Sequence, residues 1–167
     1  AYKDAEAYEV YSAILSSEWP RSEAKAKRLV ILSKTDSYDM CLEPEKEYEE
    51  LVGPAIAKYV RLNKKAWLLQ KNFQIDNPYD LITSDELKLT FENGPTGWEN
   101  FYRQHPDSGG FIVLSAVGFN ADKTVAVVYM GHNCGGLCGE GRFHVLQKKD
   151  GKWSPLTWKG KSCSWVS

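Results

Sequence analysis

"FIVLSAVGFNADKTVAVVYM", residues 111–130, holds two apolar runs joined by the turn-forming residues "NADK" at 120–123. Side chains alternate across a strand, yet each run is apolar at odd and even positions alike. Such strands present apolar surface on both faces and lie centrally in a covered sheet. Downstream, "GRFHVLQKK" (141–149) and "KWSPLTW" (152–158) read as two more strands. Asp150-Gly151 joins them, a strong two-residue hairpin signal.

Upstream of this pair the pattern is mainly helical. "DAEAYEVYSAILSSE" (4–18) predicts a helix capped by Asp4, with Tyr8, Tyr11, Ile14 and Leu15 on one face and Trp19-Pro20 as the stop. "RLVILSKT" (28–35) reads as a buried strand, followed by a loop that carries Cys41. Residues 44–65 read as helical, with Pro54 restarting the helix as a first-turn residue. Most of 66–86 reads as loop, and "NPYD" (77–80) as a turn. "ELKLTF" (86–91) alternates and predicts a strand; "GPTGWENFYRQHP" (94–106) predicts a short helix over Trp98–Arg103 between glycine and proline punctuation.

Helices first and antiparallel strands last predict an α+β fold, with N-terminal helices packed on one face of a curved, mainly antiparallel sheet. Cystatin-like and nuclear-transport-factor-like cones are built this way, an analogy of fold that carries no function. At 167 residues the chain reads as a single domain, 1–167, long enough to bury its own core. Aromatic residues make up 13% of it, including six Trp and nine Tyr, which suits a dense core or an aromatic-lined cleft. The net charge of −1 offers no bulk field to nucleic acid or anionic lipid, so neither is expected as a partner. Locally, residues 141–167 carry six basic side chains and only Asp150 as an acid, which reads as a solvated basic hairpin face. No run is long enough for a membrane span.

"GHNCGGLCGEGRFHV" (131–145) concentrates Cys134, Cys138, His132 and His144. Three chemistries compete for it. The four residues are acceptable zinc ligands, but three residues between the cysteines is not a distinctive knuckle. A catalytic thiol would need a base, His132 or His144, beside amides exposed by Gly135, Gly136 and Gly139. A disulfide needs only an even cysteine count and a turn that glycine can close. If Cys134 pairs with Cys138, then Cys41 is left for Cys163; four cysteines allow three connectivities and the spacing does not choose. The disulfide is the favoured reading, and no metal or cofactor is called for.

A second cluster, Trp98, Tyr102, Arg103 and His105, is the other candidate. Trp98, Phe101 and Tyr102 would share a helix face, leaving Arg103 and His105 at a cleft rim, with His132 and His144 as further candidate lining. "NADKT" (120–124) spaces oxygens as calcium loops do, but lacks their glycine and distal glutamate and reads as a hairpin turn. Glu43, Glu47 and Glu50 read as a solvated helix face. No phosphate loop, nucleophile elbow or zinc-protease helix motif is present.

The helical "YEVYSAIL" start, the segment from Pro106 to Tyr129 with its "VGFN-x-D-x-T" core, "CGGLCGEG" (134–141), "KDGKW" (149–153) and the terminal "WVS" resemble a group of bacterial proteins, mostly predicted to be exported, that has no assigned function. The resemblance covers both ends and most of the second half, and leaves 36–85 unplaced. It implies export to the periplasm or beyond, where disulfides persist. The expectation is therefore an exported, non-catalytic domain that binds a small ligand or a protein partner. The alternative is a hydrolase or thiol enzyme centred on Cys134–Cys138.

Overall fold

Residues 1–19, 27–92 and 96–167 are described by the structure, a computed structural model. In chain order they form α1 (Ala5–Glu18), β1 (Arg28–Leu32), β2 (Glu43–Pro44), a 3-10 turn (Lys46–Tyr48), α2 (Glu49–Leu62), β3 (Tyr79–Ile82), α3 (Ser84–Glu92) and α4 (Gly97–Gln104). The strands β4 (Ser108–Leu114), β5 (Gly118–Phe119), β6 (Val125–Gly135), β7 (Cys138–Lys149), β8 (Lys152–Pro155), β9 (Gly160–Lys161) and β10 (Ser164–Val166) follow. Eight strands make one mixed sheet, ordered β10-β7-β6-β4-β1-β3, with β5 beside β6 and β8 beside β7; β2 and β9 pair separately. The α+β class and the mainly antiparallel sheet are as the sequence predicts.

The doubly apolar strands are central, and their two faces carry different helices. On β6, Ala126, Val128 and Met130 enter a core built with α1, whereas Val125, Val127 and Tyr129 enter a core with Val52, Ala55 and Tyr59 of α2. On β1, Leu29 and Ile31 join the α1 core, while Val30 and Leu32 pack with Phe101 of α4 and with α3. The helices thus lie on both faces: α1 covers one, and α2, α3 and α4 cover the other. The one-face arrangement expected from helix-then-strand order holds for neither half of the sheet. The reason is that β1, β4 and β6 expose more apolar surface than one layer of helices can cover.

Asp4 caps α1, its carboxylate accepting from the Glu6 N–H at 3.2 Å. Tyr11, fully buried, donates to the Ser115 carbonyl at 2.6 Å and so ties α1 to the centre of the sheet. At the β7–β8 turn Asp150 and Gly151 both adopt positive φ (52° and 75°), as the hairpin signal requires.

Three local readings change. Residues 86–91 are helix, not strand: Thr83 and Glu86 form a reciprocal capping box (2.6 and 3.1 Å). Leu87 and Phe91, four apart, then pack toward α4. Leu89, which completed the alternation, is 59% exposed. Tyr79 and Asp80 of "NPYD" begin β3, which runs parallel to β1 and is fastened by an Arg28–Asp80 ion pair at 3.0 Å. Pro54 lies inside α2 instead of restarting it; the helix continues because Val52, Ala55 and Tyr59 anchor it on either side. Pro20 and the Gly94-Pro95 pair, read as helix stops, lie outside the described residues.

Candidate functional site: a cleft between α1 and the β7–β8 hairpin

Alternation along β7 places the site. Phe143 and Val145 turn to the α2 face, where Phe143 meets Tyr59 and Tyr129 edge-on at 5.3 and 5.5 Å. His144, between them, faces α1, as does Leu146. Between the last turns of α1 and the β7–β8 hairpin lies a cleft of about 600 Å³. Ile14, Ser17 and Glu18 line it from the helix, Arg142, His144 and Leu146 from β7, and Trp153, Ser154 and Pro155 from β8.

The cleft is apolar at its base and polar at one end. Ile14, Leu146 and Trp153 belong to the α1 core. Trp153 donates its indole N–H to Glu6 at 3.3 Å, and Glu6 also accepts from Lys148 at 2.6 Å. At the rim the Arg142 guanidinium donates to the Glu18 carboxylate. The His144 Nε2 is cut off from solvent and, among the described residues, has no hydrogen-bond partner, a state shared only by the Asn77 side-chain nitrogen. Burial, and after it the nearby Arg142 cation, pushes the His144 pKa down to about 4, against the opposing pull of Glu18. The imidazole is therefore neutral near pH 7. A buried polar atom without a partner costs about 1–3 kcal/mol.

The other candidates from the sequence are dispersed. Trp98 and Tyr102 pack on the opposite face, beside Phe101 and Phe111. Arg103 is exposed and donates to Asn100 at 3.1 Å. His105 rests on Phe101 at 4.9 Å and lines a cavity of about 150 Å³ between α3 and α4. His132 shares the α1 side of the sheet with His144, but its Nε2 is 2.6 Å from the Gly109 carbonyl and Trp19 meets its ring edge-on at 5.2 Å. Of the six, only His144 lies in the cleft. The α1 residues and Trp153 that complete it carry no sequence signal of their own; they read as amphipathic helix and strand.

The glycine-rich stretch is the tip of the β6–β7 hairpin. Cys134 is bridged to Cys138, and Cys41 to Cys163, with Cα separations of 5.1 and 6.0 Å. All four sulfurs are used, so neither Cys134 nor Cys138 offers a thiolate to a substrate or a metal. Among the described residues no group of three His, Cys, Asp or Glu is placed to hold a metal ion. Tyr102 donates to the Cys134 carbonyl at 2.7 Å, bracing the tip from α4. Gly141 is glycine for a steric reason: a Cβ there would run into the Trp165 indole and the Tyr129 hydroxyl, which hydrogen-bond each other at 2.6 Å. At "NADKT" the Asn120 carboxamide accepts from the Thr124 and Val125 N–H groups at 2.9 and 2.8 Å, closing a hairpin turn.

Fold and cleft together define an α+β domain pinned by two disulfides, with a half-open cleft that has His144 in its wall. No family model, no curated protein and no solved structure matches the chain. Among the described residues no helix is long and apolar enough to cross a membrane.

Proposed function

We propose that the chain is a non-catalytic binding module, exported to the bacterial periplasm or the extracellular space, that holds a small molecule between α1 and the β7–β8 hairpin. The observation that carries this reading is the half-open cleft itself, about 600 Å³, with apolar lining from Ile14, Leu146 and Trp153 and the Glu18–Arg142 pair at its rim. Small-molecule sites are concave and mostly apolar with a few polar groups, which is the make-up of this cleft. Catalysis is the weaker reading. A general base works best with a pKa near the operating pH and a proton donor in reach, whereas His144 sits near 4 and bonds no hydroxyl. Export is supported by the two disulfides, one of which joins residues 122 apart in sequence, since such bonds persist in oxidising compartments.

The test is a fragment screen followed by amide and imidazole NMR shifts on the oxidised protein. Binding should move signals of Ile14, Ser17, His144 and Leu146 together. A broad set of fragments that leaves those four signals in place, or that shifts only residues of the α2 face, would refute the reading.

A further inference from the structure

We infer that a second site, in the groove between the last turns of α2 and the β5–β6 turn, takes a small molecule that carries a phosphate group. It is separate from the cleft beside His144 and does not depend on the reading of that cleft.

The groove encloses about 510 Å³ and opens to solvent. Pro54, Lys58 and Arg61 form its helix wall, because residues three and four apart share a face. Phe119 and Lys123 line it from the strand side, and Asp4 is its one acid. Asp4 is already engaged: its two oxygens lie 2.9 and 3.1 Å from the Lys123 Nζ, and it caps α1. The ion pairs among the described residues engage neither Lys58 nor Arg61. Like charges three apart on a helix repel each other, and an anion between them relieves that repulsion. A phosphate monoester carries a charge of about −1.5 to −2 near pH 7 and so matches two unpaired cations, where a single carboxylate matches one. The Arg61 guanidinium suits two phosphate oxygens with its fork of donors, with Lys58 as a point charge beside it. Leu62 and Pro54 add apolar surface for the rest of the molecule. The C-terminal end of α2 carries partial negative charge, which opposes an anion. Its carbonyls are partly occupied, however: Asn63 donates to Tyr59 at 3.0 Å and the Trp67 indole to Leu62 at 2.9 Å.

Lys123 is an independent observation. Its φ of 53° lies in the left-handed region, where glycine is the comfortable residue. A turn selected for stability alone would carry glycine there. Lysine at that position cancels the Asp4 charge, which would otherwise face the groove and repel an anion.

The experiment titrates phenyl phosphate, and benzoate as a singly charged probe with the same ring, at pH 7.5 and low salt, while the amide signals of Lys58, Arg61 and Lys123 are followed. Phenyl phosphate should move the three together, at millimolar concentration because the cations are not buried, and benzoate should bind about fivefold more weakly. Raising the salt from about 20 to 200 mM should weaken phenyl phosphate at least about threefold. Lys58→Gln with Arg61→Gln should cut its affinity at least about tenfold without lowering the thermal midpoint. Lys123→Gly should weaken it about threefold while the midpoint holds or rises; a lower midpoint with unchanged affinity would show that Lys123 serves the turn and not the site. Benzoate binding as tightly as phenyl phosphate overturns the assignment of class. Three signals that stay in place, or a double glutamine variant that binds like the native protein, overturn the site.

Discussion

Replacing His144 with leucine tests the account of the site through stability alone. In the folded protein the imidazole has a pKa near 4; in the unfolded chain it has about the ordinary value of 6.5. The folded pKa is depressed, so the unfolded state binds the proton first as the pH falls. Stability is therefore full above about pH 6.5 and drains away between there and pH 4. At pH 5 the unfolded imidazole is almost wholly protonated and the folded one only about a tenth, which amounts to about 2 kcal/mol lost; near pH 4 the loss approaches about 3 kcal/mol. Leucine has a similar size, no charge and no orphaned nitrogen. The variant should equal or exceed the native protein at pH 7, by up to about 1–2 kcal/mol, and should lack this acid slope. Urea unfolding from pH 7.5 to 4.5 at constant ionic strength measures both. Glu6, which burial pushes up but hydrogen bonds from Lys148, Glu9 and Trp153 together bring below the ordinary carboxylate value, is present in both proteins and cancels in the difference. Parallel stability curves for the two proteins between pH 6.5 and 5 would show that His144 is not held neutral by burial, and the case for an unsatisfied site would collapse.

Other expectations are independent of the ligand. Removing the Cys41–Cys163 bridge by a double serine substitution should destabilise the protein by up to about 4–5 kcal/mol, since it closes a loop of about 120 residues; an unchanged urea midpoint would contradict this. The Cys134–Cys138 bridge closes only a tight turn and should contribute about 2 kcal/mol by the same measure. Gly141→Ala should cost about 1–3 kcal/mol and release the C-terminal strand, read as a shift in Trp165 fluorescence and faster proteolysis after residue 160; an unaltered Trp165 signal would show that the indole does not cover Gly141. Thr83→Ala should cost about 1 kcal/mol by breaking the cap of α3, and a null effect in thermal unfolding would return residues 86–91 to the strand reading.

Legibility in the sequence followed the range of the forces involved. Short-range signals were clear: the Asp4 cap, the Asp150-Gly151 turn and the doubly apolar strands at 111–130 each depend on residues within a few positions. Residues 86–91 read as a strand because "ELKLTF" fits a period of two and a period near four equally well, and the deciding contact joins its first residue, Glu86, to Thr83, which lies before the run. Strand β3 was invisible because a four-residue parallel edge draws its stability from β1, nearly fifty residues earlier in the chain, and from Asp80 meeting Arg28. The disulfide partners were readable as one of three connectivities. For the cleft, His144 could be picked from its stretch, but Ile14, Glu18 and Trp153 come together with it only through tertiary packing of α1 on the β7–β8 hairpin.

The two faces of the sheet divide the work, and this explains why the conspicuous motif is not the site. On the α2 face, Tyr38 stacks on Tyr129 at 5.5 Å, Trp165 bonds the Tyr129 hydroxyl, and Cys41–Cys163 joins the loop before β2 to the strap that ends in β10. Gly141, the braced hairpin tip and the disulfides serve that closure. Around Tyr129 the aromatic rings meet one another, Tyr38 stacking on it and Phe143 meeting it edge-on. On the α1 face the helix is pinned at its start by Tyr8 and Tyr11, and by the salt bridge of Asp4 with Lys123. Its last turns meet β7 through the Glu18–Arg142 pair, beneath which the cleft remains open. A protein selected only for stability would fill that space and replace His144 with an apolar residue, a gain of up to about 1–2 kcal/mol. Among the described residues the side-chain nitrogens of Asn77 and His144 are both buried without a partner; that of His144 borders the cleft, and such local conflicts concentrate where a protein binds something.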